Sequence, residues 1–429
     1  MYDSIHLSRF RQFENLTLRG LTRVNLFVGR NNAGKTSLLE AIELLASGGT
    51  PAALLRSGQR RGETSMTEST RTSRPIWRES VDVSHLFVDH LLREGTSFEL
   101  QGTMDSKSSA VRCEVQVLPG DLFSEGTRDS METGPLLALR VVGALGKDLP
   151  LIPLSPSGVV LRDSFSRQPS SLGLSEPQVF FLGTEGVPLR TLAQLWDKIV
   201  VTPEEDKVIA AIKMIEPSID RLVFLTEGGN NAVVKLAGTG QRVPLGSLGD
   251  GTRRMLALAV GLAHATDGVL LIDEIDTGLH YSALESMWKR VVETARRLNI
   301  QIFATSHSGD CMRALAWLQA DDPDLAADIS VHRIEKGATE AVRYSAEELE
   351  IAAQRLHRLM GVRLTLIVAE AEGRQHAAAR LAGVEHEGQV ARDLGDRVLT
   401  RELRQAVQER RSTTRRLSHG LGSARTRQR

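Results

Sequence analysis

One octapeptide constrains this chain more than any other feature: Gly29-Arg30-Asn31-Asn32-Ala33-Gly34-Lys35-Thr36. It has the form GxxxxGK[ST]. Before it, Val24, Leu26 and Val28 read as a strand; after it, Leu38, Leu39, Ile42 and Leu45 recur at helical spacing. A strand that turns into a helix through such a loop aims several backbone N–H groups at one point, and the helix N-terminus favours an anion there. The motif predicts a phosphate cradle. Gly29, Asn31, Asn32, Ala33, Gly34 and Ser37 belong to its wall, Lys35 reaches the β- and γ-phosphates, and the Thr36 hydroxyl ligates Mg²⁺.

Three further signals follow far downstream. Val269-Leu270-Leu271-Ile272 is a continuous apolar run that ends in Asp273 and Glu274, as a buried strand of a parallel sheet would. Asp273 is placed to hold Mg²⁺ through water, and Glu274 to polarise an attacking water. The next apolar strand, 299–305, runs into Ser306 and His307, and an imidazole there can hydrogen-bond a γ-phosphate. Neither a GxSxG elbow nor a cysteine nucleophile signature accompanies it, so a protease reading fails. Between these lies Ser247-Leu248-Gly249-Asp250-Gly251, a serine and two glycines opening a helix that runs over 252–266. That is a second anion nest. One nucleotide does not need two nests in one fold, so Ser247, Gly249 and Gly251 are expected to serve the phosphate of a neighbouring subunit.

The remainder divides by texture. Short alternating strands fill 5–18, paired strands are expected at 97–104 and 110–118, a hairpin over 221–237 around Gly228–Asn231, and a last hairpin within 328–344. Residues 189–215 have helical periodicity broken by Pro203, and 281–297 form an amphipathic helix. The polar Ser/Thr/Arg-rich stretch 50–76 reads as an exposed loop, and 119–175 is too rich in Gly, Ser and Pro to assign. The expected division is 1–50, 51–185, 186–345 and 346–429: the first part of the head, a variable insertion, the second part of the head, and a helical, basic tail. Lys+Arg and Asp+Glu both number 53, which argues against a protein that coats nucleic acid. Cys113 and Cys311 cannot build a disulfide framework and read as reduced thiols of a cytoplasmic protein. No apolar run reaches the ~18 residues of a membrane span.

The order of P-loop, Gly-rich nest, Asp-Glu strand and histidine resembles the heads of ABC-type ATPases. The opening IHLSRFRQFENLTL…VNLFVGRNNAGKTSLLEAI is similar to the SMC/RecF group, and SLGDGTRRMLALAVGLAHATDGVLLIDEIDTGLHYSALESMW…QIFATSHS to the OLD-like AAA-family ATPases. The resemblance implies an α/β P-loop NTPase, an ABC-type head with a mixed sheet and an inserted subdomain. It implies ATP and Mg²⁺ as ligands, and a homodimer or higher homo-oligomer formed through the ATP sites. On it, Gly29–Thr36 is Walker A, Asp273 and Glu274 are Walker B and catalytic base, Ser247–Gly251 is a signature loop acting in trans, Asp276 lies in the stretch that touches the partner, and His307 is the switch histidine. A Mg²⁺-sensing glutamine also belongs to the pattern, and Gln101 and Gln178 are the candidates. Coiled-coil arms are absent. The Toprim nuclease of full-length OLD proteins is not completed either: Glu370 and Glu372 imitate its first carboxylate, but Asp393 and Asp396 do not form the later Asp-x-Asp. The implied function is an ATP-driven switch controlling a separate effector protein, such as a nuclease in bacterial anti-phage defence. The alternative is a RecF-like repair ATPase with DNA as its partner, and the arginines between Arg401 and Arg429 read as a solvated tail or as a nucleic-acid contact.

Overall fold

The computed structural model describes residues 1–349 apart from 70–75, 105–106, 119–136, 144–145, 155–158, 162–177, 214, 226–230, 239 and 346–347. By internal contacts the chain divides into Met1–Gln354 and Arg355–Arg429. The tail with Glu370, Glu372, Asp393, Asp396 and the arginines from Arg401 onward lies outside the described residues, as do Gly228, Gly229 and Asn230 of the expected turn.

Two sheets enclose one helix. The antiparallel sheet begins with β1 (Ser4–Phe10) and β2 (Phe13–Arg19), continues through β6 (Ser97–Met104), β7 (Lys107–Val117) and β8 (Leu137–Val142), and ends at β9 (Ile152–Pro153), in the order β2-β1-β6-β7-β8-β9. The second sheet has the order β11-β15-β16-β3-β17-β18, formed by β3 (Val24–Val28), β11 (Val179–Leu182), β15 (Val269–Ile272), β16 (Gln301–Ser306), β17 (Ile329–Arg333) and β18 (Val342–Tyr344). All its pairs are parallel except β17 with β18. Helix α1 (Lys35–Ala46) packs between them, against β6 and β7 of the first sheet and β11, β15 and β16 of the second.

The apolar runs of the parallel strands are explained by burial on both faces, since side chains alternate along a strand. Phe27, Leu271 and Phe303 point into the core shared with α1 and the antiparallel sheet. Leu26, Leu270, Ile272, Ile302 and Ala304 point into the opposite core. There they meet α5 (Asp250–His264), α6 (Tyr281–Arg297) and α7 (Gly309–Asp321), the two latter helices packing on each other. The polar exception, Asn25, is fully buried and satisfied: its Oδ1 accepts from Thr22 N (2.8 Å) and Ser330 Oγ (2.7 Å), and its Nδ2 donates to Ile302 O (3.0 Å).

Residues 189–215 resolve into α3 (Leu189–Trp196) and α4 (Pro203–Ile212), with Pro203 opening the second helix rather than kinking one long helix. The 221–237 hairpin is β12 (Ile219–Leu225) and β13 (Asn231–Leu236), extended by β14 (Arg242–Pro244).

The stretch 50–76 corrects an expectation. It holds α2 (Pro51–Arg60) and β4 (Thr64–Ser69), the latter paired with β5 (Ile76–Asp82), which also pairs with β10 (Val159–Leu161). Ala53, Leu54 and Leu55 are buried. The polarity that suggested a loop is internal pairing. Glu40 and Glu43 of α1 are buried, and Arg11, Arg61 and Arg56 meet them: Arg11 Nε–Glu40 and Arg61 Nε–Glu40 at 2.8 Å, and Arg56 Nε–Glu43 at 3.0 Å. Arg60 also pairs with Glu43, and its guanidinium stacks over the Phe181 ring, 3.9 Å from the centroid. Buried carboxylates need such partners.

Candidate active site

The site lies at the C-terminal ends of β3, β15 and β16, the edge where open α/β sheets place ligands. The P-loop leaves β3 at Gly29 and enters α1 at Lys35. Two glycines are required by geometry. A Cβ at Gly29 would stand 2.4 Å from Ile334 O, and Gly34, at φ +99°, would drive a Cβ to 2.3 Å from Gln12 Nε2. Asn32 takes a left-handed conformation (φ 63°), which asparagine tolerates better than most residues. Asn31 is exposed, Ala33 is buried, and Ala33 N donates to Arg30 O (3.2 Å).

Lys35 is buried, and its Nζ donates to Gly29 O (2.9 Å) and Arg30 O (3.0 Å), so the ammonium sits inside the curl of the loop. Burial lowers its pKa from the usual lysine value, while the carboxylates of Asp273 and Glu274 act in the other direction. Thr36 Oγ1 donates to Asp273 Oδ2 at 2.9 Å. The P-loop hydroxyl and the carboxylate that ends the β15 run, distant in sequence, therefore touch. Their two hard oxygens suit Mg²⁺, which is held by one or two carboxylates together with phosphate oxygens and water. Among the described residues no group of three His, Cys, Asp or Glu is arranged to hold a metal by itself.

Asp273 Oδ1 accepts from Thr305 Oγ1 (2.6 Å), and that same hydroxyl accepts from Glu274 N (2.8 Å). Glu274 carries a left-handed backbone, φ 48°, which costs an L-residue roughly 1–2 kcal/mol. Its Oε1 lies 3.1 Å from His307 Nδ1, and its Oε2 accepts from Thr277 Oγ1 (3.3 Å). Half of the His307 side chain is open to solvent. Acid, imidazole and P-loop thus converge on one edge, with two carboxylates set apart in role: Asp273 turned to Thr36, Glu274 turned outward to His307.

The other expected residues are placed as follows. Ser37 is buried, and its hydroxyl donates to Gln12 Oε1 (3.0 Å) and accepts from Arg61 (2.8 Å). Ser247 and Gly249 are exposed; α5 begins at Asp250, so Gly251 belongs to the first helical turn and packs against Gly278 O, in the loop that follows Walker B. Asp276 turns inward, with its Oδ1 buried and unpartnered. The glutamine candidates fall elsewhere, which corrects that expectation. Gln101 is exposed on β6 and donates to Glu99 (2.6 Å). Gln178 precedes β11 and its carbonyl accepts from Val269 N (2.8 Å), at the opposite end of the strands from Asp273.

Three residues at the site escaped the sequence reading. Gln12, in the β1–β2 turn, touches the P-loop helix through Ser37. Arg61 lies in the stretch read as loop. Arg254, one turn into α5, is buried and reaches the backbone of Asp273 and Glu274. Burial lowers its pKa from the ordinary arginine value, and the carboxylates of Asp273, Asp276 and Glu274 oppose that. The doubled Arg253-Arg254 was the available signal, since an arginine inside an otherwise apolar helix needs buried acceptors.

Comparison with known proteins gives two family matches. Residues 4–90 match a model described as "AAA domain", and residues 206–310 match one described as "AAA domain, putative AbiEii toxin, Type IV TA system". The chain is similar to the "ATP/GTP phosphatase" of Helicobacter pylori, 22% identical over 330 residues, covering 73% of this chain and 87% of that protein. It is similar to the DNA replication and repair protein RecF of Heliobacterium modesticaldum, 47% identical over 48 residues, which is 11% of this chain and 13% of that one. A solved SMC head bound to the C-winged helix domain of ScpA aligns over 81% of this chain and 99% of its own, with 15% identity and a TM-score of 0.41. The two AAA matches take in the loop of Lys35 on one side and the acids and histidine of the same sheet edge on the other, and the described strands and helices form the mixed α/β fold of a P-loop ATPase.

Proposed function

We propose that the chain hydrolyses ATP with Mg²⁺ between two copies of its head, and that the cycle of closing and opening switches a separate effector. The contact that carries this reading is Thr36 Oγ1 to Asp273 Oδ2, which joins the phosphate loop to the acidic strand end, with Glu274 and His307 beside it. The backbone N–H groups of Gly29–Thr36 and the α1 N-terminus bind the phosphates, and Lys35 moves from the loop carbonyls to the β/γ oxygens. Thr36 and Asp273 would hold Mg²⁺, which would supply positive charge to offset that of the phosphate oxygens. Glu274 orients and deprotonates the attacking water, and His307 hydrogen-bonds the γ-phosphate.

Closure in trans draws support from Ser247 and Gly249, which stand exposed just before α5, whose first turn lies against Gly278 through Gly251. An effector pair in anti-phage defence, as in OLD-like systems, draws support from the toxin–antitoxin description attached to the match at 206–310. The RecF likeness extends over 48 residues, 11% of this chain, and does not lift the DNA reading above the switch. Among the described residues no helix is long and apolar enough to cross a membrane.

Mixing variants tests the reading. Ser247→Arg alone leaves nucleotide binding intact and abolishes ATP-dependent dimerisation and turnover, because a bulky cation blocks the partner's phosphate. Mixed with Lys35→Ala, it forms dimers with one sound site, and part of the ATPase activity returns. Ser247→Arg that dimerises and hydrolyses ATP like wild type overturns the composite site.

A further inference from the structure

Glu274 stands in the left-handed region, at φ 48°, and a glutamate stays there only where its surroundings over-determine it. Two side chains grip the peptide on either side. Thr305, in β16, accepts from Glu274 N (2.8 Å) and donates to Asp273 Oδ1 (2.6 Å) with one hydroxyl. Arg254, in α5 and only 6% exposed, gives its Nη2 to Asp273 O (2.6 Å) and Glu274 O (3.0 Å), and its Nη1 to Gly183 O after β11. Among the described residues these donors go to three backbone carbonyls rather than to a carboxylate. A guanidinium buried in this way is a fork that fixes the relative place of three chain segments.

Those segments are the ends of β11 and β15 and the turn that carries the acid. With the Glu274 N–H held by Thr305 and its C=O held by Arg254, the direction of its Cα–Cβ bond is set. The carboxylate then stands 3.1 Å from His307 Nδ1 and 3.3 Å from Thr277 Oγ1. The turn bond from Thr277 N (3.0 Å) ends on the same Glu274 O, so the two side chains share the grip on this peptide with the backbone.

We propose that Arg254 and Thr305 are positioning residues that hold Glu274 in its left-handed conformation and thereby aim its carboxylate at the hydrolytic water. The proposal rests on Glu274 acting as the base. Displacing a reacting group by about 1 Å costs on the order of 10²-fold in rate.

The test is ATP turnover by the full chain carrying Arg254→Lys or Thr305→Val, each alone and combined with Glu274→Gln, with binding of a non-hydrolysable ATP analogue measured in parallel. Arg254→Lys keeps the charge and loses the fork, and Thr305→Val keeps the shape and loses the hydroxyl. The expected result is a kcat lowered roughly 10- to 100-fold, analogue affinity and KM within a few-fold of wild type, and no further loss in the Glu274→Gln background. Thr305→Ser, which retains the hydroxyl, restores turnover. If wild type is active and sensitive to Glu274→Gln, yet both variants keep a wild-type kcat, the proposal falls alone. It also falls alone if each variant lowers turnover by the same factor with and without Glu274. Wild type that hydrolyses no ATP overturns the underlying reading and the proposal with it.

Discussion

His332 makes the sheet that carries the P-loop sensitive to acid. It is fully buried in β17, opposite Phe27 of β3, two residues before Gly29. Its Nε2 lies 2.9 Å from Ser330 Oγ, and that hydroxyl donates its hydrogen to Asn25 Oδ1. The ring must therefore supply the proton through Nε2, which leaves Nδ1 bare, buried and unpartnered. Protonation of Nδ1 would bury a cation without an acceptor. Burial first, and the Arg343 charge second, pull the pKa from 6.5 down to about 4. In the unfolded chain the imidazole titrates near its ordinary value. Between the two values the unfolded chain holds the proton and the folded chain does not, so stability rises with pH across that window. The contribution is fully present above about pH 6.5, is lost as pH falls toward 4, and changes no further below. The separation amounts to about 3 kcal/mol, of which roughly 2–3 kcal/mol is lost between about pH 7 and pH 4.5. Denaturant unfolding of wild type and His332→Leu at both pH values isolates it, since every other titrating group is common to the two. The wild type should lose roughly 2–3 kcal/mol more than the variant. Equal losses would refute the buried neutral ring.

Two further outcomes concern the site directly. Asp273→Asn keeps the Thr36 contact sterically but removes the charge that would face Mg²⁺, so half-maximal turnover should need on the order of tenfold more Mg²⁺ or better; an unchanged Mg²⁺ titration counts against the assignment. Lys35→Ala removes the single ammonium inside the loop and should abolish hydrolysis and weaken ATP binding, as read by nucleotide fluorescence; normal binding and turnover would dismiss the P-loop reading.

The parts of this chain that were legible in its sequence obey local rules. Gly29–Thr36 needs a strand before it and a helix after it, and both are there. The apolar runs around Leu271 and Phe303 follow from burial on both faces. Helix α6 starts and stops where its amphipathic pattern does. The parts that were not legible depend on partners remote in sequence. Arg56, Arg60 and Arg61 counted toward an exposed loop because the buried Glu40 and Glu43 that they satisfy lie in another element, α1. The role of Arg254 is to backbone carbonyls, which carry no residue signature at all. Gln178 was a candidate for the Mg²⁺-sensing glutamine, but the parallel register of β11 with β15 puts it at the far end of the sheet. The contact of Thr36 with Asp273 could be expected from the motifs, whereas the left-handed backbone of Glu274 could not, since a glutamate, unlike glycine or asparagine, gives no sign of positive φ in a sequence.

The central claim is that Glu274 drives hydrolysis of ATP bound by Lys35 and its loop. Phosphate release from ATP and Mg²⁺ by the full chain and by Glu274→Gln, with ATP affinity measured on both, tests it most directly. The account predicts multiple turnovers by wild type, near-equal affinity in the two proteins, turnover lowered about 10²–10⁴-fold in the variant, and accumulation of an ATP-bound dimer. A Glu274→Gln protein that releases phosphate at the wild-type rate, or a wild type that releases none, would contradict it.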